Sequence, residues 1–218
     1  MENLDFELPP DLEAVEPPEA RGLARDEVRL LVSYREDDRI VHGSFRDLPD
    51  LLEPGDLLVV NTSGTMNAAL TAIRADGTHL TLHLSTRLPA DLWTVELRTE
   101  NLEPLLDGEP GEVLMLPDGG RASLYTPYLQ ENRRRAGKNV RLWVSTLDLP
   151  FSLNEYLERH GAPIRYRYVR GAWPSAYYQT VYATEKGSAE MPSAGRAFTP
   201  ELITRLVAKG VQVAPLIL

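Results

Sequence analysis

Four residues with small or ring-closed side chains, Pro192-Ser193-Ala194-Gly195, run into one cation, Arg196, just ahead of a helix start at Thr199-Pro200-Glu201. Small side chains let a ligand approach the backbone, and the first turn of a helix offers N–H groups with no intrahelical partner. A cation beside both suits an anion or a nucleotide. The strip also reads as a tight turn that merely precedes a helix, and a small-residue motif alone does not separate the two.

Two basic clusters carry a second kind of chemistry. One is Arg133-Arg134-Arg135 with Lys138 and Arg141; the other is Arg159, Arg165, Arg167 and Arg170. Each is either a solvated face or a stripe that contacts phosphate. The second contains Tyr166 and Tyr168, and aromatics among arginines suit stacking on unpaired bases. The net charge of −9 argues against a general nucleic-acid binder, but the charge is uneven. Residues 1–60 hold 16 acidic and six basic side chains, against 16 and 17 in residues 61–218. His79 and His83 fall on one face of a strand; with no third ligand nearby, no metal site is expected. The absence of cysteine excludes disulfides and thiolate chemistry. No apolar run has membrane length and no signal-peptide pattern opens the chain, so a cytoplasmic protein is the simplest expectation.

The elements that must position these groups fall into three stretches. Residues 1–27 are acidic and interrupted by Pro9, Pro10, Pro17 and Pro18, which predicts an extended arm. "VRLLVSYRE", "RIVHGSF" and "DLLVVN" read as strands, with a short helix in "RDLPDLLEPGD" stopped by Pro54-Gly55. From Asn67 to Thr146 six short alternating runs are separated by turn signals such as Asp76-Gly77 and Asp118-Gly119-Gly120, a pattern of small barrels or sandwiches. After Pro150 the texture turns helical: Ser152 caps a helix that ends at Gly161, with His160 favouring its C-terminal dipole. A second helix runs from Thr199 to Lys209, and "VQVAPLIL" follows. The expected fold is a mixed α/β unit made of residues 1–66 and 148–218, with a β-barrel inserted over 67–147. Because the apolar residues come last, the natural chain is expected to continue past Leu218.

Several phrases together resemble one family. "LDFELPPDL", "HGSFRDLPDLLEPGDLLVVN", "YYQTVYATEKGSAEMPSAG" and "FTPELITRLVAKGV" match, in order, the S-adenosylmethionine:tRNA ribosyltransferase-isomerases, the QueA family of queuosine biosynthesis. The resemblance implies an α/β domain with an inserted barrel. It implies transfer and isomerisation of the ribosyl part of S-adenosylmethionine onto a 7-aminomethyl-7-deazaguanine base of a tRNA anticodon, giving epoxyqueuosine. S-adenosylmethionine is then a substrate, tRNA the partner, and no metal is implied.

The resemblance also places the substrate. Asn61, Thr62 and Ser63, at a strand end where open α/β sheets hold ligands, would hydrogen-bond it. Pro192, Ser193, Ala194, Gly195 and Arg196 would contact the nucleoside or base from a pocket mouth opposite Asn61, and Tyr178 and Tyr182 would line that pocket. By their own charge beside Tyr166 and Tyr168, and not by the resemblance, Arg165, Arg167 and Arg170 are expected to bind RNA. No general base stands out. This chain departs from the pattern where the family has two arginines, here Gly64 and Ala69, and a histidine, here Ala197. These changes motivate an alternative: a divergent paralogue that binds a nucleoside or RNA without ribosyl transfer.

Overall fold

A computed structural model describes residues 7–9, 12–128, 140–169 and 171–218. Arg133, Arg134, Arg135, Lys138 and Arg170 lie outside the described residues. An antiparallel hairpin, β1 (Arg29–Ser33) and β2 (Ile40–Ser44), leads through a 3-10 turn into the one-turn helix α1 (Leu48–Leu51). β3 (Leu57–Asn61) and β4 (Ser63–Thr65) follow. Six strands then succeed one another: β5 (Ala69–Ile73), β6 (His79–Arg87), β7 (Trp93–Arg98), β8 (Val113–Met115), β9 (Arg121–Pro127) and β10 (Leu142–Asp148). The chain continues with α2 (Leu153–His160), β11 (Gly161–Ala162), β12 (Glu185–Ser188), α3 (Pro200–Lys209) and β13 (Gln212–Leu216).

The six successive strands are the six alternating runs of the sequence, and they close. Their order is β5-β6-β7-β10-β9-β8, and Ile73 pairs with Met115 to join β8 back to β5. Period-2 alternation sends Leu80, Leu82, Leu84, Val95, Leu97, Leu124 and Trp143 into one core, and closure brings the two edge strands, β5 and β8, together. Tyr156 and Leu157 of α2 join the same core, with the Tyr156 hydroxyl donating to the Pro117 carbonyl at 2.5 Å.

A second core forms around α3. Thr199 caps this helix by accepting from the Leu202 N–H at 3.1 Å. Its apolar stripe, Leu202 and Leu206, packs with Phe198 and Val211 against Phe45, Leu48, Leu52 and Leu58. β13 runs parallel to β3 beside it, and β12 runs parallel to β4. The result is a mixed α/β structure with a closed six-stranded antiparallel barrel. Among the described residues, no helix is long and apolar enough to cross a membrane.

Gly161 joins α2 to the barrel. A β-carbon there would lie 2.1 Å from the Asn67 carbonyl oxygen and 2.6 Å from that of Leu157. Both are backbone atoms, so neither can rotate away. Gly161→Ala is therefore expected to lower unfolding free energy by roughly 1–3 kcal/mol, the usual cost of overpacking. Gly187→Ala, which meets nothing within 4 Å, should change it by less than about 0.5 kcal/mol. Urea denaturation of the two variants checks this; equal midpoints would refute the close-approach account.

Candidate functional site

The proline-rich N-terminal segment is not a free extended arm. Pro17 and Pro18 open a 3-10 turn at Pro18–Arg21, a second covers Arg25–Glu27, and Pro18 is buried. Fixed proline φ angles suit such tight turns. The segment docks against residues 177–196 through polar contacts. Arg25 Nη1 donates to the Gln179 carbonyl at 2.9 Å, and Arg196 Nη2 donates to Glu19 Oε2 at 2.8 Å. Arg196 Nε also donates to the Tyr177 carbonyl at 2.6 Å, and its side chain is buried. Burial acts to raise the Glu19 pKa, but the Arg196 hydrogen bond and the charges of Arg196 and Arg25 outweigh it and hold the carboxyl below its ordinary value.

Between this segment and residues 168–197 lies a cavity of about 370 Å³. Its walls are aromatic: Trp173, Tyr177, Tyr178 and Tyr168, with Trp173 and Tyr177 stacked at 6.2 Å. Arg21, Arg25 and Arg196 also line it, with Glu16, Ser193 and Ala197. Trp173 Nε1 and the Tyr178 hydroxyl are buried without a partner among the described residues. Burial pushes the Tyr178 phenol up, against the nearby Arg165 charge, so it stays a neutral donor. Flat apolar faces with unpaired donors and arginines suit a planar polar ligand.

Of the residues anticipated from the sequence, Tyr178, Ser193 and Arg196 line this cavity. Asn61, Thr62 and Ser63 do not. Asn61 Oδ1 accepts from the Ser63 N–H at 2.9 Å, closing its own turn. The Thr62 N–H donates to the Leu216 carbonyl at 2.9 Å, and the Ser63 hydroxyl bonds the backbone of Leu218. Thr62 and Ser63 thus bond the end of β13 and the residues just after it, and Asn61 only closes the turn between β3 and β4. The wall opposite the 192–196 strip is the N-terminal segment, not Asn61.

The strip itself is a 3-10 turn, Ser193–Gly195. The helix start behind it offers little to an anion: Pro200 has no N–H, Thr199 takes that of Leu202, and Glu201 adds a negative charge. The close approach at Gly195 is made by the protein. A β-carbon there would lie 2.2 Å from the Tyr182 hydroxyl, which donates to the Gly195 carbonyl at 3.2 Å. Tyr182 packs edge-on to Phe198, and burial raises its pKa. Tyr182 thus supports the strip from beneath, while Pro192 and Ala194 belong to the turn without lining the cavity. Sequence reasoning missed Trp173, Tyr177, Arg21, Arg25 and Glu19. For Arg21 and Arg25 the one signal was that they are the only two basic residues in an acidic, proline-rich segment; Glu19 had none.

A family model described as queuosine biosynthesis protein matches residues 1–218. The chain belongs to this family. Among curated members it is similar to the S-adenosylmethionine:tRNA ribosyltransferase-isomerase of Thermotoga maritima, 35% identical over 221 residues, which cover 98% of this chain and 58% of the relative. The protein of the same description from Desulfitobacterium hafniense is 34% identical over 230 residues, 100% of this chain and 59% of the relative. The chain thus spans somewhat more than half the length of these family members. A solved S-adenosylmethionine tRNA ribosyltransferase structure from Thermotoga maritima is 28% identical over 97% of this chain and 56% of its own, with a TM-score of 0.35. That superposition is too loose to compare sites.

Two outcomes test the site's construction in this family member. Gly195→Ala is expected to cost about 1–2 kcal/mol, and most of that loss should vanish in a Tyr182→Phe background, where the obstructing hydroxyl is gone. A thermodynamic cycle of melting curves checks it; additive losses would refute the contact. The Glu19 carboxyl has a depressed native pKa, so its contribution is full above the ordinary value of 4.5 and is lost as pH falls through the lower native value. The stability difference between wild type and Glu19→Gln should therefore shrink on going below about pH 4.5. Denaturation titrations between pH 7 and pH 3 read this directly.

Proposed function

We propose that the chain takes part in transfer and isomerisation of the ribosyl group of S-adenosylmethionine onto 7-aminomethyl-7-deazaguanine in tRNA, forming epoxyqueuosine. The observation that carries this reading is that the strip matching the family's substrate-facing loop borders an aromatic, arginine-lined cavity. In this reading S-adenosylmethionine is a substrate. The Trp173 and Tyr177 faces suit its adenine and its sulfonium cation, and the Tyr178 hydroxyl and Trp173 N–H are donors for its polar edge. Arg196, held by Glu19 and the Tyr177 carbonyl, presents a fixed charge at the strip. Residues 1–66 and 148–218 act as one α/β unit around the barrel of 67–147, and the setting is the cytoplasm.

Transfer RNA would lie along the segment leading to this cavity. Tyr166 and Tyr168 are stacked with 8° between their planes, and Tyr168 is 52% exposed. An exposed aromatic face beside Arg165 and Arg167 suits an unpaired base. Arg167 pairs with the exposed Glu103, and a surface pair of this kind is weak enough for phosphate to displace.

A specific observation also favours the second reading, a paralogue that binds nucleoside or RNA without ribosyl transfer. Where the family pattern has an arginine, Gly64 is buried. A β-carbon there would lie 3.4 Å from the Glu185 carbonyl and 3.6 Å from Gln179 Oε1. The Gln179 amide bonds both the N–H and the carbonyl of Thr65. This position has been filled by the protein's own packing.

Incubation of the intact natural protein with S-adenosylmethionine and precursor tRNA separates the two: adenine release is expected, and tRNA binding without adenine release would favour the paralogue. The double variant Arg165→Glu, Arg167→Glu should weaken tRNA binding at least about tenfold at low salt and flatten its salt dependence. Unchanged binding would make the cluster a solvated face.

A further inference from the structure

All six residues of β7 are buried. Trp93, Val95 and Leu97 belong to the barrel core. Alternation sends Thr94, Glu96 and Arg98 to the outer wall, which a small barrel usually turns to water. Here the segments carrying Ile164, Ala189 and Glu190 lie over that wall and leave a cavity of about 230 Å³. His83 stands opposite Glu96 in the β6–β7 register, and both line the cavity. His83 is 3% exposed, and its Nε2 has no partner among the described residues. Burial first, and then the Arg98 charge, bring its pKa down to about 4 despite Glu96, so the ring is neutral near pH 7.

The carboxylates of this cavity differ. Glu96 Oε1 accepts from Arg98 Nη2 at 2.9 Å and from Arg141 Nε at 2.7 Å, so its charge is compensated. Exposed Glu190 accepts from the Tyr166 hydroxyl at 2.5 Å; Arg141 is near enough to feel its charge but makes its ion pair with Glu96. Leu84, Leu142 and Ile164 supply apolar walls. An anion entering here would face Glu190 with His83 neutral and with Arg141, the one cation in the wall among the described residues, already bound to Glu96. A purely apolar molecule would leave the buried imidazole nitrogen unpaired. A bare metal ion lacks a cage, since among the described residues no three His, Asp or Glu side chains converge for one. A small flat molecule that donates hydrogen bonds suits both Glu190 and the buried His83 nitrogen, and leaves the Arg141–Glu96 pair in place.

We propose that this cavity is a second small-molecule site, taking a planar, neutral or cationic ligand with an amidine-type N–H edge, which Glu190 accepts while His83 meets the ligand from the buried end. The site stands independently of the transferase reading. It adjoins the larger cavity through one stacked pair, because Tyr166 holds Glu190 and Tyr168 lines the neighbouring cavity.

The test uses the full chain, which has four histidines, with the imidazole carbons labelled and assigned. It is titrated with 2-aminobenzimidazole and benzamidine, and in parallel with benzoate and benzyl alcohol. The two amidine-edged probes should give a saturable shift of the His83 signal, and the other two should not. Glu190 is exposed, so Glu190→Gln keeps the fold; it should weaken both amidine-edged probes at least about tenfold. No His83 response, an equal response to benzoate or benzyl alcohol, or undiminished binding to Glu190→Gln would each overturn the proposal.

Discussion

One buried guanidinium ties the candidate site together. Arg196 is satisfied by a carboxylate from residue 19 and a carbonyl from residue 177. Breaking either contact would leave a buried charge partly unpaired, which is far costlier than losing an exposed ion pair. With Arg25, which donates to the Gln179 carbonyl, this side chain fixes the N-terminal segment, the 3-10 turn Ser175–Tyr178 and the 192–196 strip relative to one another. The cavity is the space those three leave. Tyr177 and Tyr178 of its aromatic wall come from the turn, and two of its arginines come from a segment whose overall charge is strongly negative.

The barrel sets a second constraint. Closure gives it an inner core of leucines and tryptophans, yet β7 buries its polar face as well. Arg98 is held there at its two terminal nitrogens, by Glu96 and by the Leu102 carbonyl, while its buried Nε has no partner among the described residues and the Tyr166 ring lies 5.7 Å away. The barrel wall and the segment over it are thus joined by charge and aromatic contact, not by apolar packing alone. Such joints are directional, since hydrogen bonds to charged groups lose strength quickly with misalignment. The two cavities on either side of the Tyr166–Tyr168 stack inherit that fixed geometry.

Gly64 and Gly195 show how alike small residues look when their reasons differ. Gly195 makes room for the Tyr182 hydroxyl, and Gly64 sits where Gln179 crosses to Thr65. Neither has a positive φ. The sequence displays a small residue in each case; whether the vacated volume belongs to a ligand or to another side chain depends on what packs there.

Local physics made much of the fold legible in the sequence. Period-2 alternation and turn residues specify the six barrel strands, and Thr199, Pro200 and Gly210 specify both ends of α3, because these signals act over a few neighbouring residues. The basic and aromatic composition of 165–168 was equally visible. Tertiary structure alone decided that Thr62 and Ser63 bond residues 216 and 218 instead of lining the cavity, and that the proline-rich segment forms its opposite wall. It alone put Glu19 beside Arg196, 177 positions away, and buried His83 on the outside of a barrel. Those outcomes rest on partners far apart in the chain, and alternation, caps and turn residues carry no information about which distant surface will cover a given face.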